Sequence, residues 1–182
     1  MFTANSSVLR KILLVWLLWL GMGPLYAGDN GLPAVTLIET RDFGVLAKQP
    51  GLTDKPLLLV FVADYCQYCK TLEEEVLKPM LRNRDYDALV TIRLFKIDDP
   101  STVTDFNGET ISPDQFAARY HAKVTPTAVM LDLKGREIAP RIIGIPNIEY
   151  YGAELDAAIE QALDRIRKST RQPEPAKHHA GQ

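Results

Sequence analysis

The feature that most constrains this chain is an unbroken apolar run, LLLVFVA, from Leu57 to Ala63. A strand with one wet face alternates apolar and polar residues, so a continuous run of this length indicates a strand buried on both faces. Strands of that kind occur in sheets that carry helices on both sides. The run therefore predicts the central strand of a helix-covered sheet.

Strand and helix patterns alternate along most of the chain, and a strand pair comes late. The predicted elements are strand 35–39, short helix 43–48, strand 57–63, a helix from residue 66, strand 88–98, a helix opening at residue 112, a strand pair over 125–145 and an amphipathic helix over 149–168. Pro79 should kink or split the first long helix, because it lacks a backbone N–H. Ser112, Pro113 and Gln115 predict a capping box for the next helix. This order indicates an α/β domain with a mixed central sheet flanked by helices.

The first 27 residues differ in composition from the rest. Arg10 and Lys11 precede the apolar run Ile12–Gly23, and Ala27 follows as a small residue. This is the layout of a secretory signal peptide, and the run is shorter than the roughly 20 residues of a spanning helix. We therefore predict cleavage, with a retained membrane anchor as the alternative. The predicted boundaries are 1–27 for the signal peptide, 28–34 for a linker, 35–168 for the folded domain and 169–182 for a disordered tail.

Charge and cysteine content narrow the functional classes. The formal net charge is −2 and no basic stripe is present, so we expect no nucleic-acid partner. A cleaved signal would deliver the chain to an exported, oxidising compartment, where cysteine pairs persist as disulfides. A structural framework there usually has several bridges, whereas this chain has two cysteines in all.

Those two cysteines, Cys66 and Cys69, follow the buried strand and open a helix. At a helix start, free backbone N–H groups and the helix dipole favour the thiolate of Cys66, which is the nucleophile in disulfide exchange. Cys69, one turn later, would resolve the mixed disulfide. A redox couple is thus the favoured interpretation, with a metal site and an inert staple as alternatives.

Both alternatives are weaker on chemical grounds. A zinc site needs about four ligands, and the remaining candidates His121, His178 and His179 have no matching spacing, so we predict no metal. A staple that closes so small a loop adds little stability, because the gain grows with loop length.

Two segments resemble the motifs of the thioredoxin family. VFVADYCQYCK (Val60–Lys70) is similar to the family's active-site segment, and KVTPT (Lys123–Thr127), about 60 residues after the first cysteine, is similar to its cis-proline loop. The resemblance covers about residues 35–168. It implies a thioredoxin fold with an insert at residues 99–111, before the third main helix. It also implies a thiol–disulfide oxidoreductase with no cofactor beyond a redox-active Cys66–Cys69 disulfide.

The resemblance assigns roles around the cysteines. In the family, the residue before the cis-proline, here Thr125 before Pro126, presents its backbone to the substrate. Tyr65 stands where the family usually has tryptophan, and Val60 stands where thioredoxin has a buried aspartate that assists proton transfer. The implied substrate-binding residues are Tyr65, Gln67, Tyr68, Thr125 and Pro126.

Charged residues near the pair are expected to be structural or solvated. Lys96 matches the family's lysine beside the buried acid, but its partner is missing here, so a structural role is expected. Asp64 is expected to be a solvated acid. Lys70 and the run Glu73–Glu75 are expected to form a solvated helix face.

At a finer level the chain looks similar to periplasmic thioredoxin-like proteins found with bacterial sulfur-oxidation systems. The leading hypothesis is a periplasmic reductase that exchanges with protein thiols and disulfides. Because its compartment is oxidising, an inner-membrane electron donor should recharge it. A monomer is taken as the default state. The alternatives are a disulfide oxidase or isomerase, and a non-enzymatic metal chaperone or binding module on the same fold.

Overall fold

The computed structural model describes residues 32–171. The predicted signal peptide (1–27), most of the predicted linker and the last part of the predicted tail (172–182) lie outside the described residues. Across 32–171, none of the helices combines the length and apolar character needed to cross a bilayer.

The described chain forms a mixed four-stranded sheet and a separate two-stranded sheet, with helices on both sides of the larger one. The strands are β1 (Leu57–Val62), β2 (Thr91–Lys96), β3 (Val103–Thr104), β4 (Thr110–Ile111), β5 (Thr127–Leu131) and β6 (Ile142–Ile143). The α-helices are α1 (Phe43–Leu46), α2 (Gln67–Leu72), α3 (Lys78–Arg82), α4 (Pro113–Arg119) and α5 (Ile148–Arg171). A 3₁₀ helix, Arg84–Ala88, precedes β2.

The predicted central strand is confirmed. In the order β2-β1-β5-β6, β1 pairs parallel with β2 and antiparallel with β5, and all six of its residues are buried. Successive side chains of a strand point to opposite faces. Leu58, Val60 and Val62 accordingly share one core with α2, α3 and α5, while Leu57, Leu59 and Phe61 share the other with α1 and α4.

The predicted first strand, 35–39, is wrong except at one point. Glu39 forms an isolated bridge with Leu94 of β2, where the Thr40 N–H donates to the Leu94 carbonyl at 2.9 Å. Ile38 points to solvent and is about half exposed. Because the segment buries little apolar surface, it follows the sheet edge without forming a regular strand.

The helix after the cysteines is neither split nor ended by Pro79. A π-helical turn, Glu73–Leu77, joins α2 to α3 without a break. Pro79 has no N–H to donate to the carbonyl of Glu75 four residues earlier, and a wider turn just before it accommodates that loss. The Ser112–Gln115 capping box of α4 is present as predicted.

The late strand pair is broken in its second half. Leu131 bridges Glu137, and the return strand resumes only at β6, where Ile143 pairs with Thr127. Pro140 interrupts the ladder between these points, because it has no N–H to contribute.

The last helix extends beyond the predicted boundary at residue 168. Residues 169–171, predicted as part of the disordered tail, continue α5 to Arg171. The hydroxyl groups of Ser169 and Thr170 both donate to the Ile166 carbonyl.

The predicted insert is a small hairpin that lies on the α1 side of the sheet. β3 and β4 pair antiparallel around Gly108, whose φ of +83° suits a tight turn. Phe106 packs against Phe43 with the two rings tilted by 34° and their centroids 5.0 Å apart. The insert therefore belongs to the core opposite the one that contains the cysteines.

Candidate active site

The cysteine pair is placed by the end of the buried strand β1. The chain leaves β1 at Val62, and the Cys66 N–H donates to the Ala63 carbonyl at 3.0 Å, which closes a tight turn into α2. Cys66 is the N-cap residue of α2, as the sequence predicted. Cys66 and Cys69 are joined by a disulfide with their Cα atoms 5.3 Å apart.

The two sulfur-bearing residues differ in burial and in electrostatic setting. Cys66 is 7% exposed and Cys69 is 1% exposed, so a partner molecule reaches Cys66 first. The Cys69 N–H donates to the Cys66 Sγ at 3.1 Å, in addition to the dipole of the helix. These donors favour a thiolate at Cys66 after reduction, which suits it to act as the nucleophile.

The loop predicted to face the cysteines contains a cis peptide bond between Thr125 and Pro126. β5 begins where β1 ends, because Thr127 pairs with Phe61, and this register brings the loop to the cysteine end of the sheet. The Thr127 hydroxyl donates to the Val124 carbonyl at 2.6 Å, and the Pro126 carbonyl accepts from the Gly144 N–H at 2.8 Å. These bonds fix the loop between two neighbouring segments.

Exposed side chains of the predicted set surround the pair. Tyr65 and Tyr68 are 76% and 69% exposed, and Gln67 is also exposed. Thr125 is half-buried and Pro126 is buried, so this loop presents mainly backbone atoms to a bound substrate. The structure thus brings both predicted groups to one end of the sheet.

Three further exposed apolar residues at this end were missed. Val124 lies just before the cis-proline loop, Ile143 pairs with Thr127, and Tyr150 is in the first turn of α5. Only the pairing of β6 with β5 places Ile143 opposite Thr127, next to the cis-proline loop, and Tyr150 follows seven residues later in the chain. Val124 was the one with a sequence signal, because it adjoins Thr125.

Lys96 is structural in part, as expected, but it also anchors the active-site loop. Its Nζ lies 3.0 Å from a carboxylate oxygen of Glu39 and 2.9 Å from one of Asp64. The hydrogen bonds to Asp64 and to Glu39 raise the pKa of Lys96. The Asp64 side chain is 74% exposed, as expected of a solvated acid, but its carboxylate is paired with Lys96. Its N–H also donates to an Asp98 carboxylate oxygen at 2.8 Å.

Glu73 departs from the expected solvated helix face. Glu74 and Glu75 are exposed, whereas Glu73 is half-buried. Partial burial raises the pKa of Glu73, and the positive charge of Lys78 offsets part of that rise. Glu73 lines a cavity of about 370 Å³ together with Lys96 and Asp64.

The metal alternative finds no support in the part of the chain that the structure describes. Residues 32–171 contain no group of three His, Cys, Asp or Glu side chains arranged to hold an ion. The redox group of this site is the protein's own disulfide between Cys66 and Cys69.

Comparison with known proteins agrees with the geometry. The thioredoxin-like domain family matches residues 46–159. The solved thioredoxin Mala s 13 of Malassezia sympodialis is 18% identical with a TM-score of 0.50, over 75% of this chain and 98% of that one. Mitochondrial thioredoxin 3 of Saccharomyces cerevisiae is 22% identical with a TM-score of 0.45, over 68% and 93%.

A thioredoxin-fold protein of Helicobacter pylori is 24% identical with a TM-score of 0.41, over 65% of this chain and 86% of that one. No curated protein sequence matches the chain significantly. The family match spans both the cysteine pair and the cis-proline loop. The chain therefore belongs to the thioredoxin-like family and, with its Cys66–Cys69 pair, is a thiol–disulfide oxidoreductase.

Proposed function

We propose that this oxidoreductase is a periplasmic reductase of protein disulfides. The asymmetry of the cysteine pair carries the proposal, because Cys66 caps a helix and is the more exposed of the two cysteines, at 7% against 1% for Cys69. The Cys66 thiolate attacks a substrate disulfide, and one substrate sulfur leaves as a thiol. Cys69 then attacks the Cys66 sulfur, the second substrate sulfur leaves, and two electrons have passed to the substrate.

The surface around the pair supports protein substrates. Large apolar side chains are exposed on three segments that meet at the cysteine end of the sheet. They are Tyr65, Tyr68, Val124, Ile143 and Tyr150. Aromatic residues with exposed faces are enriched where proteins bind one another. An extended segment of the substrate protein would cover these side chains while its disulfide meets Cys66.

Export and an electron donor complete the proposal. The basic start, short apolar run and Ala27 support cleavage and release into the periplasm. Because that compartment is kept oxidising, a reductase there needs a thiol–disulfide electron donor in the inner membrane. Cell fractionation should find the protein in the periplasmic fraction, and N-terminal sequencing should show that it starts at Gly28. Light scattering should show a monomer. A full-length cytoplasmic chain, or a stable dimer in light scattering, would contradict this part of the proposal.

Substrate trapping tests the exchange chemistry. In Cys69→Ser the mixed disulfide through Cys66 cannot be resolved, so covalent complexes should accumulate that dithiothreitol releases. Cys66→Ser is the matched control and should trap far fewer proteins, because the remaining sulfur is buried. Equal trapping by the two variants would contradict Cys66 as the nucleophile. Stoichiometric metal binding without trapping would favour the binding-module alternative.

The reduction potential tests the direction of electron flow. A potential of about −270 mV is typical of thioredoxin and would support a reductase, whereas about −120 mV is typical of a strong oxidase. The measurement equilibrates the protein with defined glutathione or dithiothreitol ratios and counts free thiols. A value at the oxidising end would replace the reductase with an oxidase or isomerase and leave the exchange chemistry intact.

A further inference from the structure

Thr127 is the first residue of β5, and none of its surface is exposed. Its side-chain hydroxyl donates to the Val124 carbonyl oxygen at 2.6 Å, across the loop that contains the cis bond between Thr125 and Pro126. This hydrogen bond is costly to break, because the buried hydroxyl would be left without a partner away from water. Thr127 therefore fixes the orientation of the peptide group that follows Val124.

The position of Thr127 is itself set by the sheet. Thr127 pairs with Phe61 of β1 on one side and with Ile143 of β6 on the other. The Pro126 carbonyl, one residue earlier, accepts from the Gly144 N–H at 2.8 Å. The Thr127 hydroxyl thus projects from a strand that is paired on both sides, and it connects the loop to the ordered sheet.

The hydrogen bond orients one N–H group as well as one carbonyl. The peptide between Val124 and Thr125 is trans, because the cis bond of the described residues is the next one, Thr125–Pro126. In a planar trans peptide the C=O and the N–H point in opposite directions. Since the Val124 carbonyl points at the Thr127 hydroxyl, the Thr125 N–H points away from it. No group in residues 32–171 accepts a hydrogen bond from this N–H, which leaves it available to a bound molecule.

This N–H lies beside exposed apolar side chains of the proposed protein-binding surface. Val124, which contributes the carbonyl, is 53% exposed, and Ile143, opposite Thr127, is 52% exposed. A substrate segment that covers these two side chains comes close to the Thr125 N–H. A backbone carbonyl is an acceptor that every polypeptide offers, whatever its sequence. Such a contact would favour a polypeptide over a small disulfide.

We infer that Thr127 is a positioning residue for protein substrates, and that its hydroxyl orients the Thr125 N–H toward a backbone carbonyl of the bound segment. This inference rests on the proposed function, because it needs a protein as the partner, but it does not depend on the direction of electron flow. Loss of the hydroxyl should weaken the binding of protein substrates. It should leave the exchange chemistry of Cys66 and Cys69 unchanged.

The test compares the variants Thr127→Val, Thr127→Ser and Thr91→Val. Valine keeps the branched shape of threonine and removes the hydroxyl, whereas serine keeps the hydroxyl and removes the methyl group. Thr91→Val is the matched control, because Thr91 is also buried in a strand but its hydroxyl has no hydrogen bond in the described part of the chain. Thr91 pairs with Leu57 at the start of β1, so it lies at the opposite end of the sheet from the cysteines.

Each protein is assayed for insulin reduction with dithiothreitol as the electron source, and initial rates over a range of insulin concentrations give kcat and KM. Hydroxyethyl disulfide is the second probe, because it has a disulfide but no peptide backbone. We expect Thr127→Val to raise the KM for insulin about fivefold, the factor that one hydrogen bond typically contributes, with kcat within twofold of wild type. Its rate with hydroxyethyl disulfide should also stay within twofold of wild type, as should all values for Thr127→Ser and Thr91→Val.

A KM of Thr127→Val within twofold of wild type overturns the inference. An equal rise of KM in Thr127→Ser or in Thr91→Val also overturns it, and so does an equal loss of rate with hydroxyethyl disulfide. If the wild-type protein reduces hydroxyethyl disulfide but not insulin, the proposed protein substrate fails and the inference fails with it. That result is distinguishable from a failure of the role of Thr127 alone.

Amide hydrogen exchange tests the inference without a substitution at Thr127. In Cys69→Ser, Cys66 is linked as a mixed disulfide to an extended peptide that carries one cysteine. NMR spectroscopy then compares the exchange rate of the Thr125 N–H in the free and in the linked protein. We expect exchange to slow about tenfold in the linked protein, because the N–H gains an acceptor. An unchanged exchange rate overturns the inference even if Thr127→Val fails to fold.

Discussion

Replacing Asp105 with alanine should destabilise the protein strongly without affecting its chemistry. The carboxylate is 1% exposed, and one of its oxygens accepts from the N–H groups of Asn107 and Glu109, each at 2.8 Å. The other oxygen pairs with Arg119. Asp105→Ala therefore leaves two hairpin N–H groups and one guanidinium without this acceptor.

The expected loss of unfolding free energy is about 3 kcal/mol. Breaking a buried ion pair costs about 3–5 kcal/mol, and the lower end applies because Arg119 is 41% exposed and keeps Glu109 at 2.9 Å. For a protein of this size that corresponds to a fall of about 6–12 °C in Tm. Glu109→Ala is the matched control. This variant removes the second carboxylate partner of Arg119. Because the Glu109 side chain is 62% exposed, the loss of unfolding free energy should be at most about 1 kcal/mol.

Guanidinium denaturation of the oxidised proteins measures both losses of unfolding free energy.

Burial alone would raise the pKa of Asp105, but the backbone N–H of Glu109 and the Arg119 side chain outweigh it and lower the pKa below 3.8. The wild-type advantage over Asp105→Asn should therefore be full at pH 7 and disappear as the pH falls through that lowered pKa. Equal losses of unfolding free energy in Asp105→Ala and Glu109→Ala would refute the reasoning. A halved rate of disulfide exchange in Asp105→Ala would also refute it, because the insert packs on the face of the sheet opposite the cysteines.

Two further predictions concern charges near the cysteines. Burial raises the pKa of Glu73 above 4.5, so its charge destabilises the folded protein at pH 7. Glu73→Gln should therefore increase the unfolding free energy at pH 7. The gain should vanish below pH 4.5, where the wild-type carboxyl is protonated in both the folded and the unfolded protein. Exposed Glu75→Gln, measured in the same denaturation series, should show no such gain. Lys96→Met should leave Glu39 and Asp64 without their cation, and Asp64 lies two residues before Cys66. The uncompensated negative charge should disfavour the Cys66 thiolate, so alkylation of the reduced protein at pH 7 should slow about threefold. An unchanged alkylation rate would show that this ion pair does not reach Cys66.

The fold was predictable where one local pattern had one physical outcome. The apolar run of β1 predicted a doubly buried strand, because no other placement removes all six side chains from water. The Ser112–Gln115 capping box is a local arrangement of side chains and backbone, and it formed as expected. The predicted strand at 35–39 failed because an edge segment needs a partner over several residues, and β2 offers it one bridge.

In the cysteine site, too, local features were predictable from the sequence and long-range ones were not. The order strand, Cys66, Cys69 and helix is local, so the sequence alone determined the N-cap position of Cys66 and the redox interpretation of the pair. Strand register is set by contacts between distant segments, and only the tertiary structure places Ile143 opposite Thr127, next to the cis-proline loop. The tertiary structure also decides that, within residues 32–171, the buried hydroxyl of Thr127 has a hydrogen-bond partner and that of Thr91 has none, because strand periodicity shows which side chains face the core but not which atoms there are paired.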